Sequence, residues 1–267
     1  MGKVISADGT SIAYTRAGQG PAVILVDGAM SYRGQSINTD LATALATSFT
    51  VYTYDRRGRG ESGDTKPFAP EREIEDLAAL VAEAGGGVRL YGTSSGAAVA
   101  LAAVESGVPV ERLALYEPPF IVDGSRPPIP DDYQRRLDEL VAEGRSADAV
   151  RYFMRKGVGL PAVIVAMMRF MPAWSKLKAV AHTIPYDAAF VVPYEHGTPY
   201  PASSWASVKV PTLVMDGGKS QTWIRNAARS LAELLPDAEH RTLEGQTHIV
   251  KPAALAPVLA GFLAVGV

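Results

Sequence analysis

The 267-residue sequence predicts an α/β protein with a mostly parallel central β-sheet, flanking helices and a helical insertion above the sheet. Two observations lead to this fold class. Short, nearly continuous apolar runs alternate with helical stretches, as expected for strands that helices cover on both faces. One long segment, residues 118–206, breaks this alternation and contains helical patterns without a convincing buried strand. The length suits a single α/β domain with such an insertion.

The amino-acid composition excludes several classes of protein. The chain carries 26 Lys and Arg against 28 Asp and Glu, and its 47% hydrophobic residues exclude a disordered or collagen-like chain. Since no long basic run is present, we expect no nucleic-acid or membrane partner. The expected partner is a small-molecule substrate, and the expected assembly is a monomer or a homodimer. The absence of cysteine excludes disulfides, thiolate catalysis and cysteine-ligated zinc, and it suits a reducing compartment. We therefore expect a cytoplasmic protein.

The predicted elements follow in chain order. Residues Lys3–Ser6 and Ser11–Arg16 flank Asp8-Gly9 and are typical of a β-hairpin. The later apolar runs predict buried strands at Ala22–Val26, Phe49–Tyr54, Val88–Tyr91, Arg112–Tyr116 and Thr212–Met215. A last strand is predicted at Glu239–Leu243. Helices are predicted between them at Asn38–Ala46, Glu73–Ala84, Ala97–Ser106 and Trp223–Leu235, and the apolar segment Pro252–Val267 predicts a final helix that is too short to span a membrane.

The insertion divides the chain into a core of residues 1–117 and 207–267 and a cap of residues 118–206. Within the cap, helices are predicted at Asp131–Glu143, Ser146–Lys156 and Ala162–Met171, followed by a proline-rich stretch. We expect about half of a set of cap side chains to pack on each other and the rest to line an apolar pocket. This set is Val163, Ile164, Met167, Met168, Phe170, Met171 and Trp174.

The segment around Ser94 carries the strongest chemical signal. A predicted strand runs into Gly92-Thr93-Ser94-Ser95-Gly96 and then directly into a helix. A G-x-S-x-G sequence between a strand and a helix is typical of a nucleophile elbow, in which a sharp turn raises the serine hydroxyl above the sheet. The backbone N–H of Ser95 then points from the helix N-terminus towards negative charge that develops at Ser94.

A serine nucleophile needs a base, and the chain offers four histidines. His182 and His196 fall in the insertion, and His240 falls in the predicted last strand. His248 follows that strand in a loop before the final helix, where it can reach the elbow and exchange a proton near neutral pH. We therefore predict His248 as the general base.

These motifs resemble the α/β-hydrolase family over nearly the whole chain. Three further segments add to the elbow and the late histidine. The family's turn after the third strand is similar to Val23–Ala29, its loop after the next strand to Tyr54–Ser62, and its late strand to Val210–Met215. The resemblance implies that residues 118–206 form the lid. It also implies that the backbone N–H of Ala29 joins that of Ser95 in the oxyanion hole.

The sequence departs from the family pattern at two positions. Asp27 replaces the usual histidine before Gly28; either it accepts hydrogen bonds from the adjacent turn, or it opposes the oxyanion unless it is protonated or paired with an arginine. Ser220 stands where the family usually has its acid. Glu117, at the end of the strand after the elbow, is the preferred substitute, because haloalkane dehalogenases of this family carry their acid there. Asp216 as the acid, or no acid at all, are the alternatives.

The resemblance and the residues together predict a serine hydrolase without metal or cofactor. Ser94, His248 and Glu117 would cleave a small, mainly apolar ester, lactone or thioester through an acyl-enzyme. Two alternatives remain open. The same residues could serve a lyase, a C–C hydrolase or an acyltransferase, or the protein could bind a ligand without catalysing a reaction. Arg56–Arg59 either attracts an anionic substrate or forms a surface turn paired with Glu61 or Asp64.

Overall fold

A single eight-stranded sheet forms the centre of the protein. The computed structural model describes residues 1–36 and 38–264. Its strands are β1 (Gly2–Ile5), β2 (Ser11–Ala17), β3 (Ala22–Val26), β4 (Thr50–Tyr54), β5 (Val88–Thr93), β6 (Val110–Tyr116), β7 (Thr212–Gly217) and β8 (Ala238–Leu243). Each predicted strand is thus present, with ends that differ by one or two residues.

The order of the strands is β1-β2-β4-β3-β5-β6-β7-β8. Strands β1 and β2 form the predicted antiparallel hairpin, and β2 is also antiparallel to β4. All other pairs are parallel, with β3 between β4 and β5, and β6 between β5 and β7. The prediction of a mostly parallel wound sheet is confirmed. As a result, the carboxyl ends of β3, β5, β6, β7 and β8 meet at one edge.

Ten α-helices surround this sheet within the described residues. They are α1 (Thr39–Leu45), α2 (Pro70–Glu83), α3 (Ser95–Glu105), α4 (Tyr133–Ala142), α5 (Ser146–Tyr152), α6 (Ala162–Met167), α7 (Trp174–Ala179), α8 (Ile184–Val191), α9 (Thr222–Leu234) and α10 (Pro252–Leu263). The four predicted core helices and the final helix are confirmed, although Val265–Val267, the end of the last predicted segment, lies outside the described residues. No helix described here combines the length and apolar character that crossing a bilayer requires.

Alternating residues of the buried strands face two separate clusters. In β3, Val23 and Leu25 pack with α1 and α10, whereas Ile24 and Val26 pack with α2, α3 and α9. This arrangement follows from the period of two along a strand, and it explains why the strands read as continuous apolar runs.

Residues 118–206 lie entirely within the described chain and contain helices but no strand. Helices α4, α5 and α8 share a third apolar cluster with Trp223 and Ile224 of the core, and α8 contacts α3. The predicted helix over Ser146–Lys156 changes to a π-helical turn at Phe153–Gly157. The proline-rich stretch contains α7 and α8. Pro185 is compatible with α8 because it occupies the first turn, where a backbone N–H has no partner within the helix. The boundaries of core and cap stay a prediction.

The prediction that Met and other apolar cap residues line the pocket is wrong. Five of these side chains are exposed, at 49–74% of their accessible surface: Val163, Ile164, Met167, Phe170 and Met171. Met168 is buried, and none of the seven predicted residues lines the cavity beside Ser94 that is described below. That cavity is bounded instead by cap side chains from Phe153, Val158, Ala188 and Val191 and by core side chains.

Candidate active site

Ser94 lies in a strained turn between β5 and α3. Its backbone has φ 55° and ψ −130°, a region that residues other than glycine rarely adopt. The turn requires glycine on both sides: a Cβ on Gly92 would come within 2.5 Å of the Gly96 carbonyl oxygen, and a Cβ on Gly96 within 2.3 Å of the Val26 carbonyl oxygen. The predicted elbow geometry is therefore present, with the Ser94 side chain at the cavity.

His248 lies beside Ser94, as the sequence predicts. Its Nε2 is 3.2 Å from Ser94 Oγ, although 154 residues separate the two in the chain. The histidine follows β8 in a loop, and the hydroxyl of Tyr116 donates a 2.6 Å hydrogen bond to the carbonyl oxygen of the preceding residue, Thr247. This bond ties the loop to the end of β6, so the position of the imidazole depends on the sheet.

Glu117 contacts the other side of the imidazole. Its Oε2 is 2.7 Å from His248 Nδ1, and its Oε1 accepts a 2.7 Å hydrogen bond from the N–H of Gly217. The side chain is completely buried, whereas that of His248 is 40% exposed. Glu117 also has a positive φ of 47°, which directs the side chain from the end of β6 into this position.

Asp216 is the alternative acid, and Ser220 stands at the family's usual acid position. Asp216 accepts from His240, with a distance of 2.7 Å to its Nε2, and burial there is complete. Although burial alone would raise the pKa of Asp216, its bonds with His240 and Thr242 hold it below the usual value. Ser220 Oγ is buried and has no hydrogen-bond partner in the part of the chain that the structure describes. Ser220 also lines the cavity. Neither residue is hydrogen-bonded to His248 among the described contacts.

Ala29 and Ser95 line the cavity together with Ser94. A Cβ on the adjacent Gly28 would be 3.1 Å from the Ser94 Cβ, so the loop after β3 passes directly beside the elbow. Ser95 begins α3, and the N–H groups of a first helical turn have no partner within the helix. Both predicted oxyanion-hole residues are therefore next to Ser94; the role of their N–H groups stays a prediction.

Asp27 is buried below this loop and faces Asn38 rather than a backbone turn. Its Oδ1 accepts a 2.5 Å hydrogen bond from the Asn38 side-chain amide. Burial raises the pKa of Asp27, against the opposing effect of Ser36, Asn38 and nearby arginines. The carboxyl group is thus hydrogen-bonded within the core.

Both interpretations of Arg56–Arg59 as exposed groups are wrong. Arg56, Arg57 and Arg59 are no more than 1% exposed. Arg56 pairs with Glu73 at 2.6 Å, and Arg57 with Asp76 at 2.8 Å. The guanidinium groups are buried because carboxylates elsewhere in the fold neutralise them.

Asp187 of α8 connects this arginine cluster to the elbow. It accepts hydrogen bonds from Arg56 Nη1 at 2.6 Å, from Arg59 Nη2 and from Ser95 Oγ at 2.8 Å. Arg59 also donates to the carbonyl oxygen of Gly28 at 2.9 Å. Burial alone would raise the pKa of Asp187, but the two arginines hold it below its usual value. Asp187 is therefore bonded directly to Ser95 and, through Arg59, to the loop that contains Gly28.

The cavity beside Ser94 has a volume of about 300 Å³ and lies between the sheet edge and the cap. Its apolar walls come from Pro119, Phe153, Val158, Ala188, Val191, Trp223 and Ile224. Polar groups among its lining residues include Asp187, Glu195 and Lys219. Within the described residues, no group of three or more carboxylate or histidine side chains is arranged to hold a metal ion.

Asp187 and Glu195 are absent from the residues that the sequence predicts for the site. A signal for Asp187 exists: it is the single charged residue in the otherwise apolar helix IPYDAAFV. A charged group in a helix that is apolar on all sides needs a buried partner, but the sequence does not indicate which one. For Glu195, the surrounding loop carries no comparable signal.

Comparison with known proteins shows the family to which the chain belongs. A family model described as the alpha/beta hydrolase family matches residues 23–258. An alpha/beta hydrolase from Sphaerobacter thermophilus has 55% sequence identity and a TM-score of 0.89, covering 98% of this chain and 100% of its own. This likeness and the family match confirm the predicted fold.

More distant structures share the fold alone. The enol-lactonase from Burkholderia xenovorans has 24% identity and a TM-score of 0.69, with coverage of 98% of this chain and 99% of its own. A thermophilic esterase from Thermogutta terrifontis has 22% identity and a TM-score of 0.68, with coverage of 98% and 97%.

Proposed function

The chain belongs to the alpha/beta hydrolase family, and from this premise we propose that it is a serine hydrolase that cleaves a small, mainly apolar ester, lactone or thioester. The observation that carries the proposal is the unbroken series of contacts from Ser94 Oγ to His248 Nε2 at 3.2 Å and from His248 Nδ1 to Glu117 Oε2 at 2.7 Å.

The hydrogen bonds suit His248 to the role of general base. A carboxylate accepts hydrogen bonds, so Glu117 holds the proton of the imidazole on Nδ1 and leaves the lone pair of Nε2 towards Ser94. In the first step, Ser94 Oγ attacks the carbonyl carbon and its proton passes to His248 Nε2. The buried charge of Glu117 then stabilises the imidazolium that forms.

The backbone N–H groups of Ala29 and Ser95 would stabilise the tetrahedral oxyanion. In the forward step, His248 returns its proton to the leaving alcohol or thiol, the carbon–oxygen or carbon–sulfur bond breaks, and an acyl group remains on Ser94. Water then enters, gives a proton to His248 and attacks the acyl carbon, which releases the acid and restores the serine. No group outside this chain and water is needed to balance these steps.

The cavity supports a small, mainly apolar substrate. About 300 Å³ is at the lower end of the volumes of small-molecule sites. Most of its walls are aliphatic and aromatic carbon, which favours an acyl or alcohol part with little charge. Esters, lactones and thioesters of this size share the carbonyl that the proposed chemistry requires.

A fluorophosphonate probe followed by mass spectrometry tests the nucleophile. We expect covalent labelling at Ser94 and its loss in His248→Ala, whereas His240→Ala, a histidine bonded to Asp216, serves as the matched control and should still be labelled. Absence of labelling at Ser94 in the folded wild-type protein would contradict the proposal and favour a ligand-binding role.

Product analysis in water enriched in oxygen-18 separates hydrolysis from lyase chemistry and from acyl transfer, two other reactions that the same residues could perform. Hydrolysis by an acyl-enzyme puts one heavy oxygen into the released acid. A lyase or an acyltransferase would release a product without that oxygen, and this result would overturn the proposal.

A further inference from the structure

Glu195 is a buried carboxyl group that lines the candidate active-site cavity and has no role in the proposed catalytic steps. It follows the turn Val192–Tyr194 after α8 and is only 3% exposed. Its backbone is held in place, since its N–H donates to the Val192 carbonyl oxygen and its own carbonyl oxygen accepts from Ile129. Its Oε2, however, has no hydrogen-bond partner among the described residues.

The nearest opposite charge does not satisfy this carboxyl group. Arg126 attracts Glu195 electrostatically, but no ion pair joins the two side chains among the described contacts. Instead, Arg126 Nη2 donates to the carbonyl oxygens of Lys156, at 3.1 Å, and Gly157, and the guanidinium lies 4.4 Å from the ring centroid of Trp223. A buried polar group normally finds a partner, so this carboxyl group is expected to find one in a ligand.

We propose that Glu195 forms a subsite that binds a hydroxyl group on the substrate, an inference that rests on the proposed function. The preferred substrate is then a hydroxylated ester, lactone or thioester. Glu195 and Ser94 line the same cavity, which also has apolar walls. In a cavity with apolar walls, a placed polar group fixes the orientation of a ligand and contributes to specificity.

The protonation of Glu195 favours a neutral partner. Burial raises its pKa to about 8, with a smaller opposing effect of Arg126. At neutral pH the group therefore carries a proton, and it can donate one hydrogen bond and accept another. A hydroxyl group offers both functions in return, whereas an ammonium group would need the ionised carboxylate, which burial disfavours.

The test compares pairs of 4-nitrophenyl esters in which a terminal hydroxyl replaces a terminal methyl, from 4-hydroxybutanoate against pentanoate to 8-hydroxyoctanoate against nonanoate. For each pair, kcat/KM of the hydroxylated ester is divided by that of the alkyl ester. We expect this ratio to favour the hydroxylated ester at one chain length at least, to fall about tenfold in Glu195→Met, and to stay within about threefold in Glu195→Gln. Glu143→Met, an exposed glutamate of the cap, is the matched control and should leave the ratio unchanged.

A binding measurement separates failure of this inference from failure of the proposed function. In Ser94→Ala, calorimetry with the same esters should show tighter binding of the hydroxylated member, and the preference should disappear when Glu195→Met is added. If wild-type protein cleaves none of the esters, the proposed function fails. The role of Glu195 is then still decided by the binding measurement, that is, by whether Ser94→Ala binds the hydroxylated ester more tightly and loses this preference when Glu195→Met is added. If Glu195→Met does not fold, as judged by circular dichroism, the preference of Ser94→Ala alone decides. Equal binding of both members at every chain length, or an unchanged ratio in folded Glu195→Met, overturns the inference.

Discussion

Asp187 accepts a hydrogen bond of 2.8 Å from the hydroxyl of Ser95, a residue 92 positions earlier and directly after the candidate nucleophile. The same carboxylate pairs with Arg56 and Arg59, and Arg59 in turn bonds to the carbonyl oxygen of Gly28. The cap is thereby joined through buried charges to both loops beside Ser94. Because these contacts cross from residues 118–206 to the sheet, they couple the stability of the fold to the geometry of the site.

Replacement of Asp187 by asparagine should destabilise the protein by about 3 kcal/mol, because it leaves two buried guanidinium groups without their shared counter-charge. Urea unfolding followed by circular dichroism measures this loss. Asp148→Asn is the matched control, since Asp148 is a cap aspartate that also pairs with two arginines, Arg145 and Arg151, but at the surface, where such pairs contribute less than about 1 kcal/mol. Equal stability of the two variants would show that the buried network contributes nothing beyond a surface pair.

Replacement of Glu117 by glutamine should lower kcat/KM for an activated ester at least 100-fold. The amide is close in size to the carboxylate, but it cannot stabilise the imidazolium with a full charge. Ser220→Ala changes the residue at the family's usual acid position and should alter kcat/KM less than tenfold. Similar, mild effects of both substitutions would remove Glu117 from the mechanism.

Gly96→Ala should abolish the activity or the folded state, because the added Cβ would come within 2.6 Å of the carbonyl oxygens of Val26 and Asp27, which belong to backbone and cannot move aside. Gly261→Ala is the matched control. Among the described residues, no atom outside the local helix lies within 4 Å of a Cβ at this exposed position of α10, so alanine should leave activity unchanged and stabilise the helix by up to about 1 kcal/mol. Thermal unfolding and ester hydrolysis of the two variants check both expectations, and a fully active Gly96→Ala protein would contradict the close packing at the elbow.

The raised pKa of Glu195 predicts a specific dependence of stability on pH. Between its unfolded pKa of 4.5 and its folded pKa of about 8, the folded protein holds a proton that the unfolded chain has released. The contribution of this group to the free energy of unfolding therefore falls as pH rises through this window, by up to about 5 kcal/mol.

Glu195→Gln lacks this titration, so its stability relative to the wild type should increase from pH 5 to pH 9. Urea unfolding of both proteins at several pH values measures the difference. Glu143→Gln, at an exposed position, should show no such trend. A constant difference between Glu195→Gln and the wild type would show that Glu195 titrates near its ordinary value.

The sequence alone predicted the strands, the core helices and the three side chains that meet at the sheet edge. These features depend on local signals. The apolar runs reflect burial of both sheet faces, Gly92 and Gly96 reflect a turn too tight for a side chain, and His248 follows the last strand in a loop. Glu117, at the end of β6, was expected near that histidine because the resemblance to haloalkane dehalogenases implies an acid at this strand end, and its carboxylate lies there.

Only the tertiary structure decided which charges neutralise one another and which side chains form the cavity. Arg56 and Asp187 are 131 residues apart, so no local pattern connects them, and the arginine loop resembles an exposed turn until its partners are known. Likewise, the apolar residues of α6 satisfy the same pattern whether they face a pocket or solvent. Burial of charge and the walls of a cavity are properties of the packed chain, because each depends on groups that distant segments bring together.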